Sequence, residues 1–168
     1  MYISFMSLAA GDTETRWLTA TERDAWIPLV GMLLKLPAAL DAQLQRDSGL
    51  SHFHYLVLAM LSESPDHTRR MSELAFVANG SLSRLSHAVS KLEAEGWVRR
   101  TSCPDDGRST NATLTTAGYA KVVASAPGHV RAARDLVIDA LTEEQVAQLR
   151  VIAIAILGTM DPPDCRET

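Results

Sequence analysis

Apolar residues recur at steps of three and four over most of this chain, and that spacing predicts a mainly helical protein. Thr19 and Glu22 stand at capping-box spacing. After them Trp26, Val30, Leu33, Pro37, Leu40 and Leu44 mark one stripe of a helix reaching about residue 46. Pro28 sits near its start or bends it, and Pro37 is expected to kink or break it. Ser51 caps a second helix through Ser62, with Phe53, Leu56, Val57, Met60 and Leu61 as its inner face. A third, short helix opens at Ser72 and ends near Asn79–Gly80. Leu82, Leu85, Val89 and Leu92 then give the cleanest stripe in the chain, closed by Gly96. Thr115 begins a long tract marked by Val122, Val123, Ala126, Val130, Ala133, Val137 and Leu141, with a weak point at Pro127–Gly128. A second capping box, Thr142 with Gln145, opens a last helix to Met160, stopped by Asp161–Pro162–Pro163.

The period changes once. Trp97–Thr101 and Asn111–Leu114 suit short strands, and the CPDDGRS segment between them suits a turn. Arg69–Arg70 suits a strand of one or two residues. Residues 71–118 thus run helix, break, helix, hairpin. In a winged helix-turn-helix one helix braces, one enters the major groove and the hairpin reaches the minor groove. The predicted fold is mainly α with a small β-hairpin wing, joined to helices at both ends that hold more apolar surface than so small a lobe needs. A second copy of the chain is the simplest cover for that excess.

At 100° per residue, the side of the 82–94 helix opposite its leucines carries Ser83, Arg84, His87 and Lys91, with Ser90 at the edge and Ser81 at the start. These donors and acceptors have the reach for base edges and phosphates, and Arg84 could pair bidentately with a guanine. A plain solvated face is the alternative. Charge gives the first reading modest support. The chain carries −4 overall, but residues 69–110 hold seven basic and five acidic groups, about +2, which leaves −6 elsewhere. Screening makes the local value the one that matters to a phosphate.

Other chemistry is weakly represented. No phosphate-binding glycine loop or nucleophile elbow appears, so an enzyme is not expected. His52 and His54 stand about 200° apart on a helix and cannot share an ion as an i,i+4 pair can, so no metal or other cofactor is expected. Cys103 and Cys165 make no disulfide framework, which suits a reducing cytoplasm. Cys103, near three arginines, has a setting that favours thiolate, but it reads more simply as a strand-end residue. No apolar run approaches the roughly 20 residues of a membrane span, and residues 1–10 lack the basic leader of a signal peptide.

Several short motifs stand in register: Ser72–Glu73–Leu74–Ala75, Ser81–Leu82–Ser83–Arg84–Leu85, Leu92–Glu93 followed by Gly96, Pro104–Asp105–Asp106–Gly107–Arg108, and Leu114–Thr115–Thr116–Ala117–Gly118. In this order and spacing they resemble the MarR family of bacterial winged-helix regulators. The resemblance implies a homodimer with interleaved terminal helices, bound to double-stranded DNA at a roughly palindromic operator. It also implies Arg108 in the minor groove, oriented by Asp106. A small aromatic or anionic effector would sit in a crevice walled by Trp26, His54 and Tyr55. The corresponding organisation is a tail (1–18), a dimerisation helix (19–47), a winged helix-turn-helix region (48–118), C-terminal dimerisation helices (119–160) and a second tail (161–168). A helical dimer using a degenerate winged helix for protein contacts is the rival reading.

Overall fold

The structure, a computed structural model, describes residues 15–78, 81–102 and 109–160. The chain divides into two units, Met1–Lys35 and Leu36–Thr168.

In the first unit, α1 (Ala20–Ser48, whose second half lies in the next unit) begins at the expected capping box. The Thr19 N–H donates to the Glu22 carboxylate at 2.7 Å, and the Glu22 N–H donates back to Thr19 Oγ1 at 3.3 Å. The Thr19 backbone N–H and, after it, the Thr19 side chain draw the Glu22 carboxyl below its ordinary value, against a smaller push upward from desolvation. Contrary to expectation, α1 continues through Pro28 and Pro37 as one helix. The carbonyls that each proline leaves without an amide belong to Asp24 and Leu33, both exposed, where water can replace the lost donor. Helix α1 is also apolar enough by length and composition to cross a bilayer, its most apolar stretch reaching a mean hydropathy of 1.4 although charged and polar residues interrupt it.

The second unit is built around one core. It takes Leu44 from the end of α1; Tyr55, Val57, Leu58 and Leu61 from α2 (His52–Ser62); and Met71 and Leu74 from α3 (Met71–Val77). Leu85, Val89 and Leu92 come from α4 (Leu82–Ala94), and Val98, Ala112 and Leu114 from the sheet. Each fully buried leucine contributes about 1.5–3 kcal/mol. The inner face of α2 is rotated from the expected one: Tyr55 and Leu58 are buried, Phe53 and Met60 are only partly so, and Leu56 is exposed. Ser51 caps α2 as expected, accepting from the His54 N–H. Helix α3, however, starts one residue before Ser72, with Arg70 at the N-cap position and no side-chain cap bond. Strand β1 pulls the start back, because it ends at Arg70.

Strands β1 (Thr68–Arg70), β2 (Val98–Ser102) and β3 (Thr110–Leu114) form an antiparallel sheet in the order β1-β3-β2. Arg69 pairs with Ala112, and Arg100 pairs with the same residue from the other side. Gly96, at φ 73°, closes α4: the Trp97 N–H reaches back to the Leu92 carbonyl at 2.9 Å and turns the chain into β2. Thr115 ends the hairpin by donating to the Gly96 carbonyl at 2.7 Å while capping the Gly118 N–H of α5 (Thr116–Leu136). Helix α5 passes through Pro127 unbroken, the freed carbonyl again belonging to an exposed residue, Val123. After it, α6 (Glu143–Met160) starts at the Thr142–Gln145 box and buries no residue at all.

Candidate nucleic-acid interface

Leu85, Ala88, Val89 and Leu92 anchor α4 in the core, so its orientation is fixed by burial and its other side faces solvent. Ser81, Ser83, Arg84, His87, Ser90 and Lys91 are all exposed there. Leu82 departs from the expected stripe: it is 56 % exposed, and Ala88 takes the inward place. Position 82 lies in the first turn, about 70° from the centre of the buried arc formed by Leu85, Ala88, Val89 and Leu92.

The polar residues of α4 differ in what already engages them. Ser81 caps the helix, accepting from the Arg84 N–H at 3.2 Å. The Ser90 hydroxyl donates to the Ser86 carbonyl at 2.9 Å and accepts from Arg100 at 3.0 Å, so its proton is already committed. The Arg84 guanidinium lies over the ring of Phe53, 4.3 Å from its centroid, and among the described residues it donates to no acceptor. Lys91 stands near enough to His54 to help hold that imidazole below its ordinary value, burial being the larger cause and Asp41 opposing both.

Arg100 has the opposite fate to Arg84. Its backbone N–H donates to Glu93 Oε1 at 2.8 Å, its Nε to Glu93 Oε2 at 2.6 Å, and its Nη2 to Ser90. The β2 strand of the wing is thereby bolted to the last turn of α4. Burial raises the Glu93 carboxyl, but the Arg100 bonds and charge together outweigh it and leave the group below its ordinary value. A cleft of about 290 Å³ with mixed polar and apolar walls opens beside this pair, lined by Met71, Ser72, Leu82, Ser86, Arg100 and Thr110 among others.

Asp106, Arg108 and Cys103, between β2 and β3, lie outside the described residues, and so does Cys165, which follows α6. Of the effector-wall candidates, Trp26 is 52 % exposed on α1 in the first unit, while Tyr55 is buried and His54 half-buried on α2 in the second. A group of rings around Tyr55 has no signature in local sequence spacing. The His129 ring lies 4.5 Å from Tyr55 and 5.7 Å from His52, centroid to centroid, and its Nδ1 is buried without a partner among the described residues. Burial lowers both histidines, and His52 lowers His129 further. No cluster of three or more His, Cys, Asp or Glu suited to a metal occurs among the described residues. Phe53, Arg100 and His129 gain their roles from contacts across elements, for which local spacing carries no signal.

The sequence model of the MarR family matches residues 50–110. Over 92 % of its length the chain is 44 % identical to Sco3205, a MarR family transcriptional regulator from Streptomyces coelicolor solved in complex with DNA. The alignment covers 97 % of that chain with a TM-score of 0.85. AbsC, a MarR family regulator from the same organism, is 38 % identical over 86 % of this chain and 99 % of its own, with a TM-score of 0.77. The transcriptional repressor YetL of Bacillus subtilis is 31 % identical over 81 residues, 48 % of each chain. The chain thus spans about half the length of the curated relatives it matches.

Proposed function

The chain belongs to the MarR family of transcriptional regulators, and from that premise we propose that it acts as a homodimer on a roughly palindromic operator in double-stranded DNA. One observation carries the reading. Helix α4 is fixed in the core on one side, is bolted to the wing at its end, and presents Ser83, Arg84, His87 and Lys91 outward with the Arg84 donors unpaired among the described residues. Such a face contributes cations for phosphates and a fork for a guanine edge. Ser81 joins it at the helix start. From the Asp106–Gly107–Arg108 motif, Arg108 is assigned the minor-groove contact, with Asp106 as the residue that would orient it. Ser90 serves the interface from inside, by holding Arg100 in place.

The dimer is supported by surface that a single copy leaves bare. Val151, Ile152, Ile154 and Leu157 of α6 are each more than half exposed, and so are Ile27, Leu33 and Leu34 of α1. A second copy covers such helices, and this also accounts for the apolar length of α1. Two lobes in successive major grooves stand roughly 34–36 Å apart, so a modest change in their separation costs contacts at both half-sites. A small aromatic or anionic effector bound near His54 and Tyr55 would act through that separation. The role is regulatory rather than catalytic, needs no cofactor, and is exercised where chromosomal DNA lies, in the cytoplasm.

Selection from a pool of random duplexes, at two salt concentrations and with Arg108→Ala alongside, tests the proposal. The expected result is a palindromic site whose recovery falls with salt and with the substitution. A folded dimer that enriches no site overturns it.

A further inference from the structure

We propose that Phe53, on α2, is a specificity-determining residue of the DNA interface, acting through Arg84 as a positioning residue. The inference rests on the DNA-binding reading above and adds to it a residue that faces no base itself. Arg84 is the third residue of α4, in the first turn, where a recognition helix meets base edges. A long exposed arginine loses much rotamer freedom when it must pair with one base, and a side chain already held in place loses less. Phe53 supplies the hold. Its ring is partly buried against the core, so it moves with the lobe, and the guanidinium lies over it at 4.3 Å, well inside cation–π range.

A phenyl ring carries no oxygen or nitrogen acceptor, so the contact with Phe53 holds the guanidinium without giving its N–H donors a hydrogen-bond acceptor, and a bidentate contact to guanine needs such donors. Arg100 shows the alternative within the same lobe: its donors are committed to Glu93 and Ser90, and it is a strut. Arg84 is braced and unpaired, a state suited to reading rather than holding.

The test compares site selection by the wild-type chain, Phe53→Leu, Phe53→Tyr, Arg84→Ala and the Phe53→Leu/Arg84→Ala pair. Phe53→Leu keeps an apolar side chain and all charges, and thermal melting of each variant confirms folding. Guanine preference at one symmetry-related pair of positions is expected to fall roughly two- to tenfold, with the salt dependence unchanged. Arg84→Ala should lose preference at the same positions, the pair should lose no more than Arg84→Ala alone, and Phe53→Tyr, which keeps the ring face, should retain it. In the free protein, ring-current displacement of the Arg84 side-chain resonances should vanish in Phe53→Leu. Unchanged preference in Phe53→Leu, or a loss spread evenly over all positions, overturns the role of Phe53 while leaving DNA binding intact. Absence of any selected site with the wild-type chain overturns the DNA-binding reading, and the role of Phe53 falls with it.

Discussion

Replacing Glu93 by Gln should loosen the joint between the wing and α4 by an amount the structure bounds. The carboxylate accepts two bonds from Arg100, from the backbone N–H at 2.8 Å and from Nε at 2.6 Å, and pairs with Nη2 at 2.5 Å. A glutamine keeps the shape but has one oxygen, so one of the two oxygens is replaced by a donor facing a donor. Charge-assisted hydrogen bonds contribute about 1.5–3 kcal/mol each in favourable settings. Here the two side chains are 33 % and 27 % exposed, which lets solvent screen the pair and rehydrate what is lost. The expected cost is therefore about 1–2 kcal/mol, or a melting shift of roughly 2–8 °C at fixed protein concentration. The pH dependence gives a second reading. Because the folded carboxyl titrates below its ordinary value, its contribution is complete above about pH 4.3 and is lost as pH falls through the lower folded value. Wild-type stability should drop along that acid limb, and Glu93→Gln should lack this part of the drop. Melting curves of Glu93→Gln, Arg100→Met and the pair, from pH 3 to 7, measure both effects. A Glu93→Gln variant within 1 °C of wild type, with an unchanged acid limb and no coupling to Arg100, refutes the strut.

Gly118 packs against the Trp97 carbonyl and Leu114 so closely that an added Cβ would overlap backbone. Gly118→Ala should cost about 3 kcal/mol or more in urea denaturation, since neither β2 nor α5 can yield easily. His52 and His129 titrate below their ordinary value through burial, so stability is complete above about pH 6.5 and falls as pH drops below it. His129→Gln should flatten that fall between pH 7 and 5 in thermal melts. Ile154→Asp on α6 places a charge in the surface assigned to the second copy, and sedimentation should show a shift from dimer to monomer.

Features set by neighbours along the chain were legible: the caps at Thr19, Ser51 and Thr142, the glycine stop at Gly96, and the outward set on α4 all follow from spacing. Features that depend on distant partners were not. Leu82 fits the leucine stripe by periodicity yet is exposed, with Ala88 in the inward place. Ser90 looks like a groove-facing donor until Arg100, ten residues on, takes its hydroxyl. Pro37 reads as a kink or break, Pro28 as a helix start or bend and Pro127 as a weak point, because propensity does not reveal that the carbonyls they orphan belong to exposed residues. Phe53 looks like core, and its second face becomes meaningful only when Arg84 lies over it.

The central claim, that two copies of α4 enter successive major grooves together, is tested most directly by half-site spacing. The affinity of the chain for its selected duplex should be compared, by fluorescence anisotropy, with its affinity for the same duplex carrying about five inserted base pairs between the half-sites, half a helical turn. Binding to the altered duplex should fall to the level of unrelated DNA, because the second lobe then faces the wrong side of the helix. Equal affinity for both duplexes would contradict the central claim.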